Sequence, residues 1–113
     1  IGAGAVIFPF AMVSGDAQAG EFLFMDTYSI ISHGDSIGNN VVVGPAAIIT
    51  GDCVIGNNVT FGVNSAVLPG TKIGDNTEIA INTFPQRRVA ANSRIISTPG
   101  KNFGINLNKN FKN

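Results

Sequence analysis

The sequence has few of the residues on which several protein classes depend. It has one cysteine, Cys53, so a disulfide framework is excluded. The residues given contain no apolar run long enough to span a membrane, and none of them resembles a signal peptide. We expect one domain with a modest core in a cytoplasmic setting, with Cys53 as a small buried residue.

Basic residues are absent before Lys72, although the chain has seven Lys and Arg against seven Asp and Glu. The zero net charge, and the lack of a basic stripe with interleaved aromatics, argue against general nucleic-acid binding. The basic end is either a solvated surface or an anion site. The charge pattern leaves both interpretations open.

A repeat is the strongest signal in the chain. The motif Ile-Gly-Asn/Asp-Asn begins at Ile37 and begins again at Ile55 and Ile73, at equal intervals. Each interval divides into three hexads, and a single hexad phase runs fourteen times without an insertion. This self-similarity predicts a solenoid rather than an ordinary globular fold. The hexad positions are Ile1, Ile7, Val13, Ala19, Met25, Ile31, Ile37, Val43, Ile49, Ile55, Phe61, Val67, Ile73 and Ile79.

A second inward position follows four residues after each of these and is small or compact in most hexads, as at Ala47, Cys53 and Ser65. Two inward positions per hexad predict a three-sided β-coil with a short strand on each side and a turn at each corner. Successive coils should stack at about 4.8 Å. An antiparallel sandwich would instead show period-two alternation, and a helix would be broken by Gly and Asn in every hexad.

The repeat also sets the predicted domain boundaries. The hexad phase fails after Thr83, a poorer pair of repeats follows around Val89 and Ile95, and the chain leaves the coil at 97–101. We therefore predict a β-helix domain over 1–101, about five coils, and an Asn-rich tail over 102–113 with no assigned function. Because the chain opens in mid-phase at Ile1 without an initiator Met, we expect a fragment that lacks an amino-terminal domain.

Outward positions three hexads apart form columns that indicate which sides of the prism face solvent. One column is apolar, and an apolar side favours self-association, so we predict a homotrimer. Phe22, Phe24 and Tyr28 are also predicted to point outward, which indicates an interface with a neighbouring subunit or with the missing domain. The apolar column consists of Met12, Ile30, Ile48 and Ala66.

The single histidine, His33, falls at a corner of the best-formed coils. A lone histidine is usually an ordinary surface or core residue. Its column neighbours, Gly15 and Gly51, nevertheless predict a groove of bare main chain beside the imidazole. An imidazole can act as a general base near neutral pH, and an open N–H at Gly51 could hold a developing oxyanion.

In its repeat and in the position of His33, the sequence resembles the left-handed β-helix acyltransferases with hexapeptide repeats, in particular the nucleotide-sugar and sialic acid acetyltransferase branch. The resemblance covers 1–101. It rests on the hexads, on Ile-Ser-His at 31–33 four residues before Ile-Gly, on the run 55–70, and on Ser-Thr-Pro-Gly-Lys at 97–101. The hexads indicate the fold, and His33 with them indicates the function.

The resemblance implies a single-stranded left-handed parallel β-helix that transfers acetyl from acetyl-CoA to an amino or hydroxyl group of a sugar or nucleotide-sugar, as in polysaccharide biosynthesis. The site would lie between subunits of a trimer, without a metal. His33 would deprotonate the acceptor and Gly51 would hold the oxyanion. The implied coenzyme contacts are Gly51 and Pro69 along a coil edge, the neighbouring turns including Ala80, and Arg87, Arg88, Arg94 and Lys101 near the phosphates.

The chain departs from this branch beside the histidine. Relatives commonly carry Asp or Glu directly after it to orient the ring, and this chain has Gly34. Asp35 should occupy an inward slot. We therefore hypothesise that Asp16 or Asp52, one coil to either side, supplies the carboxylate. A second histidine of some relatives corresponds to Val42 here.

Three other functions compete with this one, and the sequence argues against the last two of them. A trimerising scaffold would leave His33 incidental. A zinc hydratase would need about three imidazoles at a subunit boundary, which one His per chain supplies poorly. An ice-binding surface would need regular Thr ladders, which the threonines do not form.

Overall fold

Two-residue strands recur along the chain, and each ends on the apolar residue of a hexad. The computed structural model describes residues 1–101 and Gly104, and this part of the chain holds fifteen strands. They are β1 Val6–Ile7, β2 Met12–Val13, β3 Gln18–Ala19, β4 Phe24–Met25, β5 Ile30–Ile31, β6 Ser36–Ile37, β7 Val42–Val43, β8 Ile48–Ile49, β9 Val54–Ile55, β10 Thr60–Phe61, β11 Ala66–Val67, β12 Lys72–Ile73, β13 Glu78–Ile79, β14 Arg88–Val89 and β15 Arg94–Ile95.

The strands stack into three parallel sheets, one on each side of a triangular prism. Face 1 contains β1, β4, β7, β10, β13 and β15; face 2 contains β2, β5, β8 and β11; face 3 contains β3, β6, β9, β12 and β14. Met12 pairs with Ile30, and Ile30 with Ile48, so each coil takes three hexads. The three-sided coil predicted from the hexads is confirmed, as is the apolar column on face 2.

The last coil is shorter than the others. Val54 pairs with Lys72, which follows it by three full hexads, whereas Lys72 pairs with Arg88, which comes two positions earlier than a full coil would place it. The predicted break after Thr83 is therefore a two-residue shortening on the side of face 2, where the described chain has no strand after β11. The repeats expected around Val89 and Ile95 are present as β14 and β15.

Both predicted inward positions line the interior in the middle coils. Phe61 and Ile79 are at most 1% exposed, and the compact partners Ala47 and Thr71 are fully buried. Burial fades at the amino-terminal end, where Ile7 is 44% exposed, since one side of the first coil has no coil stacked on it. The buried apolar residues are Leu23, Met25, Ile31, Ile37, Val41, Val43, Ala47, Ile49, Cys53, Ile55, Val59, Phe61, Val67, Ile73 and Ile79.

The corners of successive coils stack into three edges, each a column of turn residues. Many of these turn residues have positive φ, a conformation that Gly and Asn adopt most readily. We name the edges by their contents. The aromatic edge, between faces 1 and 2, contains Phe10, Tyr28, Ala46, Asn64 and Asn82; the histidine edge, between faces 2 and 3, contains Gly15, His33, Gly51, Pro69 and Arg87; the asparagine edge, between faces 3 and 1, contains Asn40, Asn58, Asn76 and Asn92.

Two further predictions concern the carboxy-terminal tail and membrane-spanning segments. Apart from Gly104, the tail predicted over 102–113 lies outside the described residues. Residues 1–101 and Gly104 include no helix, and therefore none that could cross a membrane.

Candidate active site

The histidine edge places His33 in line with a stretch of main chain that carries no side chains. Gly15 lies one coil below it and Gly51 one coil above. The N–H of Asp52 donates to the His33 carbonyl at 2.8 Å, and the N–H of Gly70 donates to the Gly51 carbonyl at 3.0 Å. These coil-to-coil bonds fix the edge. The predicted neighbours Gly51 and Pro69 therefore lie on the same edge as His33.

The imidazole of His33 projects into solvent, with its side chain 87% exposed. Its Nδ1 lies 2.7 Å from Oγ of Ser14 and 3.3 Å from Oδ1 of Asp16. Ser14 donates its own hydroxyl proton to Asp16 at 2.9 Å. The Ser14 oxygen is then an acceptor for Nδ1–H, which assigns the tautomer with the lone pair on Nε2. That is the tautomer a general base needs.

Asp16 therefore fills the place left by Gly34. Hydrogen bonds from the Ser14 hydroxyl and the Gly34 N–H, together with the neighbouring His33, hold the pKa of Asp16 below its usual range. The Asp16 carboxylate is therefore ionised at neutral pH. Of the two carboxylates hypothesised from the sequence, Asp16 is the one within reach of the ring.

Asp52 lies on the other side of the same corner. A side chain built on Gly34 would run into its carboxylate, and within the described residues no hydrogen bond joins Asp52 to the imidazole. The carboxylate of Asp52 lies over Gly34, and its hypothesised role beside His33 stays a prediction. Ser14 was not among the residues predicted from the sequence. Its position one coil below Ser32 is the signal that could have found it.

Asp35 lies inside the prism, as the sequence predicted, and supports the site from there. Its carboxylate is 1% exposed and accepts the N–H of Ser32 at 2.8 Å and the N–H of Cys53 at 2.9 Å. These bonds tie the turn that carries His33 to the turn that carries Gly51. Burial raises the pKa of the Asp35 carboxyl above its ordinary value, and the two N–H groups partly offset this.

Cys53 is a core residue, as predicted. Its thiol is fully buried and lies 3.5 Å from the Leu68 carbonyl. Burial raises the pKa of the thiol, which opposes formation of the reactive thiolate. The thiol therefore does not compete with His33 for chemistry at this edge.

Gly51 presents an open amide to the edge. Within the described residues its N–H donates to no acceptor. A Cβ at this position would lie 3.2 Å from the His33 carbonyl oxygen, so the absence of a side chain keeps the groove open next to the imidazole. The arrangement pairs a free basic nitrogen with a free main-chain donor, which suits a reaction that develops negative charge on oxygen.

An apolar depression of about 310 Å³ adjoins the imidazole on face 2. Its floor is the first part of the apolar column, and the Ser14 and His33 side chains form its rim. A ligand atom next to Nε2 would therefore contact polar groups on one side and apolar side chains on the other. The lining residues are Met12, Val13, Ser14, Ile30, Ile31, Ser32 and His33.

The predicted coenzyme residues are only partly brought together. Arg87 lies on the histidine edge, where its Nε donates to the Pro69 carbonyl at 3.1 Å. Arg88 lies on face 3 beside Lys72. Arg94 lies on face 1, where its Nε is 3.6 Å from Oε2 of Glu78. Lys101 is exposed where the chain leaves the coil. A single basic cluster of all four is not formed, since Arg88 and Arg94 belong to different faces.

Ala80 lies on a different edge from Gly51 and Pro69. It lies at the corner between faces 1 and 2, whereas Gly51 and Pro69 lie at the corner between faces 2 and 3. Its predicted contact with the coenzyme from a neighbouring turn stays a prediction. An edge recurs every three hexads, and Ala80 follows Pro69 by fewer than two.

Comparisons with known proteins bear on this arrangement. Residues 52–83 match the sequence family described as bacterial transferase hexapeptide (six repeats). No curated protein sequence matches the chain. The acetyltransferase domain of PglB from Neisseria gonorrhoeae FA1090, in complex with acetyl coenzyme A, superposes with a TM-score of 0.77 at 22% identity, over 80% of this chain and 45% of that one.

The fold is a left-handed β-helix built from hexads. WeeI from Acinetobacter baumannii AYE gives a TM-score of 0.82 at 21% identity, over 88% of this chain and 50% of that one. A mutant of perosamine N-acetyltransferase from Caulobacter crescentus, in complex with CoA and GDP-perosamine, gives a TM-score of 0.60 at 24% identity, over 86% of this chain and 55% of that one. This left-handed β-helix thus spans about half the length of each of these proteins, and the predicted fold is confirmed.

Proposed function

We propose that this left-handed β-helix transfers an acetyl group from acetyl-CoA to an amino or hydroxyl group of a sugar or nucleotide-sugar, with His33 as the general base. The observation that carries the proposal is the His33 ring itself. Its Nδ1 is held by Ser14 and Asp16, its Nε2 is open, and a bare main-chain edge lies one coil above. Similar folds with bound acetyl coenzyme A or CoA are acetyltransferases, and one holds GDP-perosamine.

The reaction follows from these positions. Nε2 of His33 removes the proton from the acceptor N–H or O–H as the acceptor atom bonds to the thioester carbonyl carbon. The carbonyl oxygen becomes an oxyanion, which the Gly51 N–H stabilises. When the tetrahedral intermediate collapses, the C–S bond breaks and the imidazolium returns the proton to the departing thiolate. CoA leaves as the thiol, and His33 is again neutral.

Ser14 and Asp16 have a positioning role in this scheme. They keep Nδ1 as the protonated nitrogen, so the basic lone pair faces the acceptor. The Asp16 carboxylate also stabilises the imidazolium formed during the reaction, at a contact of 3.3 Å.

The donor would run along the histidine edge past Gly51 and Pro69. Arg87 is the basic residue best placed for its phosphates, because it is tethered to the Pro69 carbonyl on that edge. Face 2 would pack against other copies in a homotrimer, since its outer column from Met12 to Ala66 is apolar. A cytoplasmic setting and a role in polysaccharide biosynthesis stay predictions.

One experiment separates this proposal from a trimerising scaffold in which His33 is incidental. Release of CoA thiol is measured with acetyl-CoA and a panel of amino- and hydroxy-sugars, free and nucleotide-linked, with GDP-perosamine among them. We expect turnover by the wild-type protein and a loss of about 10²- to 10⁴-fold in His33→Ala, the usual contribution of a general base. Gly15→Ala on the same edge is the matched control. Equal turnover by His33→Ala and the wild type would leave the scaffold function standing.

A further inference from the structure

The aromatic edge differs from the other edges where it passes the height of His33. Phe10 and Tyr28 stack there with ring centroids 5.2 Å apart and planes 11° apart. The rings are 71% and 60% exposed. Their backbones have φ of 65° and 62°, which aromatic residues seldom adopt. The same column continues with Ala46, Asn64 and Asn82.

The fold alone does not account for this pair. Asn64 and Asn82 show what the turn favours, since their amides hydrogen-bond to each other at 3.0 Å on backbones of the same positive φ. Two aromatic rings at this corner give up that bond and bury little surface within the chain. Unfavourable backbone geometry that persists without a local benefit is often associated with function.

Tyr28 and His33 occupy opposite ends of one strand. Tyr28 precedes β5 and His33 follows it, so within a chain their attachment points are separated by five residues of extended backbone, about 16 Å. Phe10 and Ser14 flank β2 one coil below in the same way. A single sugar ring is too small to contact both ends of the strand in one copy.

A threefold ring removes this separation. If face 2 of each copy is turned toward the axis, the end of face 2 that carries the histidine edge meets the opposite end of face 2 in the next copy, which carries the aromatic edge. The copies are related by rotation without translation, so the coils stay level. Tyr28 of one copy then approaches His33 of its neighbour at the same height, with Phe10 beside the neighbour's Ser14 and Asp16.

We propose that the Phe10–Tyr28 pair of one copy forms the wall of the acceptor site over His33 of the next copy, and that a pyranose ring packs its C–H face against Tyr28. The inference rests on the proposed function and adds the residues that recognise the acceptor. An aromatic wall would cover the open side of the imidazole, exclude water from it and hold the ring at a fixed distance from Nε2. Ala46, one coil above Tyr28, leaves room for the ring beside the aromatic face.

The test uses Asn as the replacement, because Asn is native at this turn geometry in both columns. We expect Tyr28→Asn and Phe10→Asn to lower kcat/KM for the panel acceptor with the highest turnover by at least tenfold, without loss of thermal stability. Phe22→Asn is the matched control, since Phe22 is 60% exposed with φ 58° but lies in the column of Asn40 and Asn58 on the asparagine edge. Equal losses in Tyr28→Asn and Phe22→Asn would overturn the proposal.

Mixed trimers test the contribution across copies. His33→Ala and Tyr28→Asn chains, each nearly inactive alone, are co-expressed with different tags and purified through both. Every trimer purified through both tags holds chains of both kinds, so a site with His33 from one chain and Tyr28 from the next is intact at one of its three boundaries, and about a third of wild-type turnover returns. If both residues act within one chain, no site is intact and no activity returns, which would overturn the proposal while leaving the acetyltransferase function of the wild type unaffected.

Tyr28 also supplies a signal that does not depend on turnover. It is the one tyrosine of the sequence, which has no tryptophan, so tyrosine emission reports on this position alone. We expect the free sugar that forms the best acceptor to change this emission in a saturable way in the catalytically inactive His33→Ala trimer. An emission that does not respond to sugar, in a trimer shown to bind it by calorimetry, would contradict stacking on Tyr28.

Discussion

The histidine edge and the asparagine edge both consist of turns stacked one coil apart but use their polar groups differently. On the asparagine edge the amides of Asn40, Asn58, Asn76 and Asn92 bond in sequence at 2.9, 3.0 and 3.1 Å. On the histidine edge the column forms no ladder of like side chains, and the Gly51 N–H and His33 Nε2 lack partners within the described residues. A ladder of like residues stabilises the coil, whereas an interrupted column leaves groups free for a ligand.

The largest predicted effect on acetyl transfer comes from adding a side chain to the open histidine edge. Gly51→Ala places a Cβ 3.2 Å from the His33 carbonyl, so the peptide that carries the oxyanion donor must shift. We expect acetyl transfer to fall about tenfold to hundredfold, part of the effect of deleting such a donor. Gly15→Ala is the control, because a Cβ there meets no atom within 4 Å. Similar losses in both variants would mean that Gly51 has no special role.

The next effect concerns the orientation of the imidazole. Ser14→Ala and Asp16→Asn should each lower kcat by about tenfold with little change in KM, the usual cost of losing an orienting partner. Ser14→Thr keeps the hydroxyl and should restore most of the activity. Asp52→Asn serves as the comparison, since this carboxylate lies on the same edge without a bond to the ring. A larger loss in Asp52→Asn than in Asp16→Asn would reverse the assignment.

On the asparagine edge the expected effect is on stability rather than on turnover. Asn58→Ala removes two ladder hydrogen bonds and should lower the free energy of unfolding by about 1 to 2 kcal/mol. The converse change, Ala46→Asn, extends the Asn64–Asn82 ladder and should raise the free energy of unfolding by up to about 1 kcal/mol. Urea unfolding at fixed protein concentration measures both. Loss of acetyl transfer in a folded Asn58→Ala protein would contradict the division of roles between the two edges.

The smallest effect is a change in pH dependence at the buried carboxyl between the catalytic turns. Burial raises the pKa of Asp35, so the folded protein binds this proton more tightly than the unfolded chain. The resulting stabilisation is fully present below the unfolded pKa, near pH 4, and is lost as pH rises through the raised folded value. Asp35→Asn lacks this titration.

Relative to the wild type, Asp35→Asn should therefore gain stability as pH rises from about 4 to 7. This trend holds even though Asn cannot accept both the Ser32 and Cys53 N–H groups and is expected to be less stable overall. Unfolding midpoints across this pH range give the difference between the two proteins. A difference that is constant with pH, or that changes in the opposite direction, would show that the carboxyl is not destabilised by burial.

Much of the fold could be predicted from the sequence because each hexad is a local rule. An apolar residue such as Ile49 and a compact one such as Cys53 four residues later specify the same inward geometry wherever they occur. Contacts between coils then follow from counting three hexads. Counting hexads failed only where the last coil is two positions short before Arg88, so that Lys72 pairs with Arg88 and Glu78 with Arg94.

The site was less predictable, because its chemistry depends on side-chain direction at a corner. Asp16 and Asp52 are equivalent by column, yet one turns toward the imidazole and the other lies over Gly34. Ser14 does not belong to the His33 column, and only the rotation of the ring brings Nδ1 within 2.7 Å of its hydroxyl. Periodicity gives the height and the edge of a residue but not the torsion angles that aim it.

By itself the sequence determined a three-sided solenoid, its buried positions, and a lone histidine beside glycines at an outer corner, since each of these depends only on residue type and spacing. The tertiary structure decided which carboxylate holds the imidazole, which basic residues share its edge, and which aromatic rings stand at its height. Those relations join residues about one coil apart or on opposite ends of a face, and they are set by how the coils stack and the turns rotate.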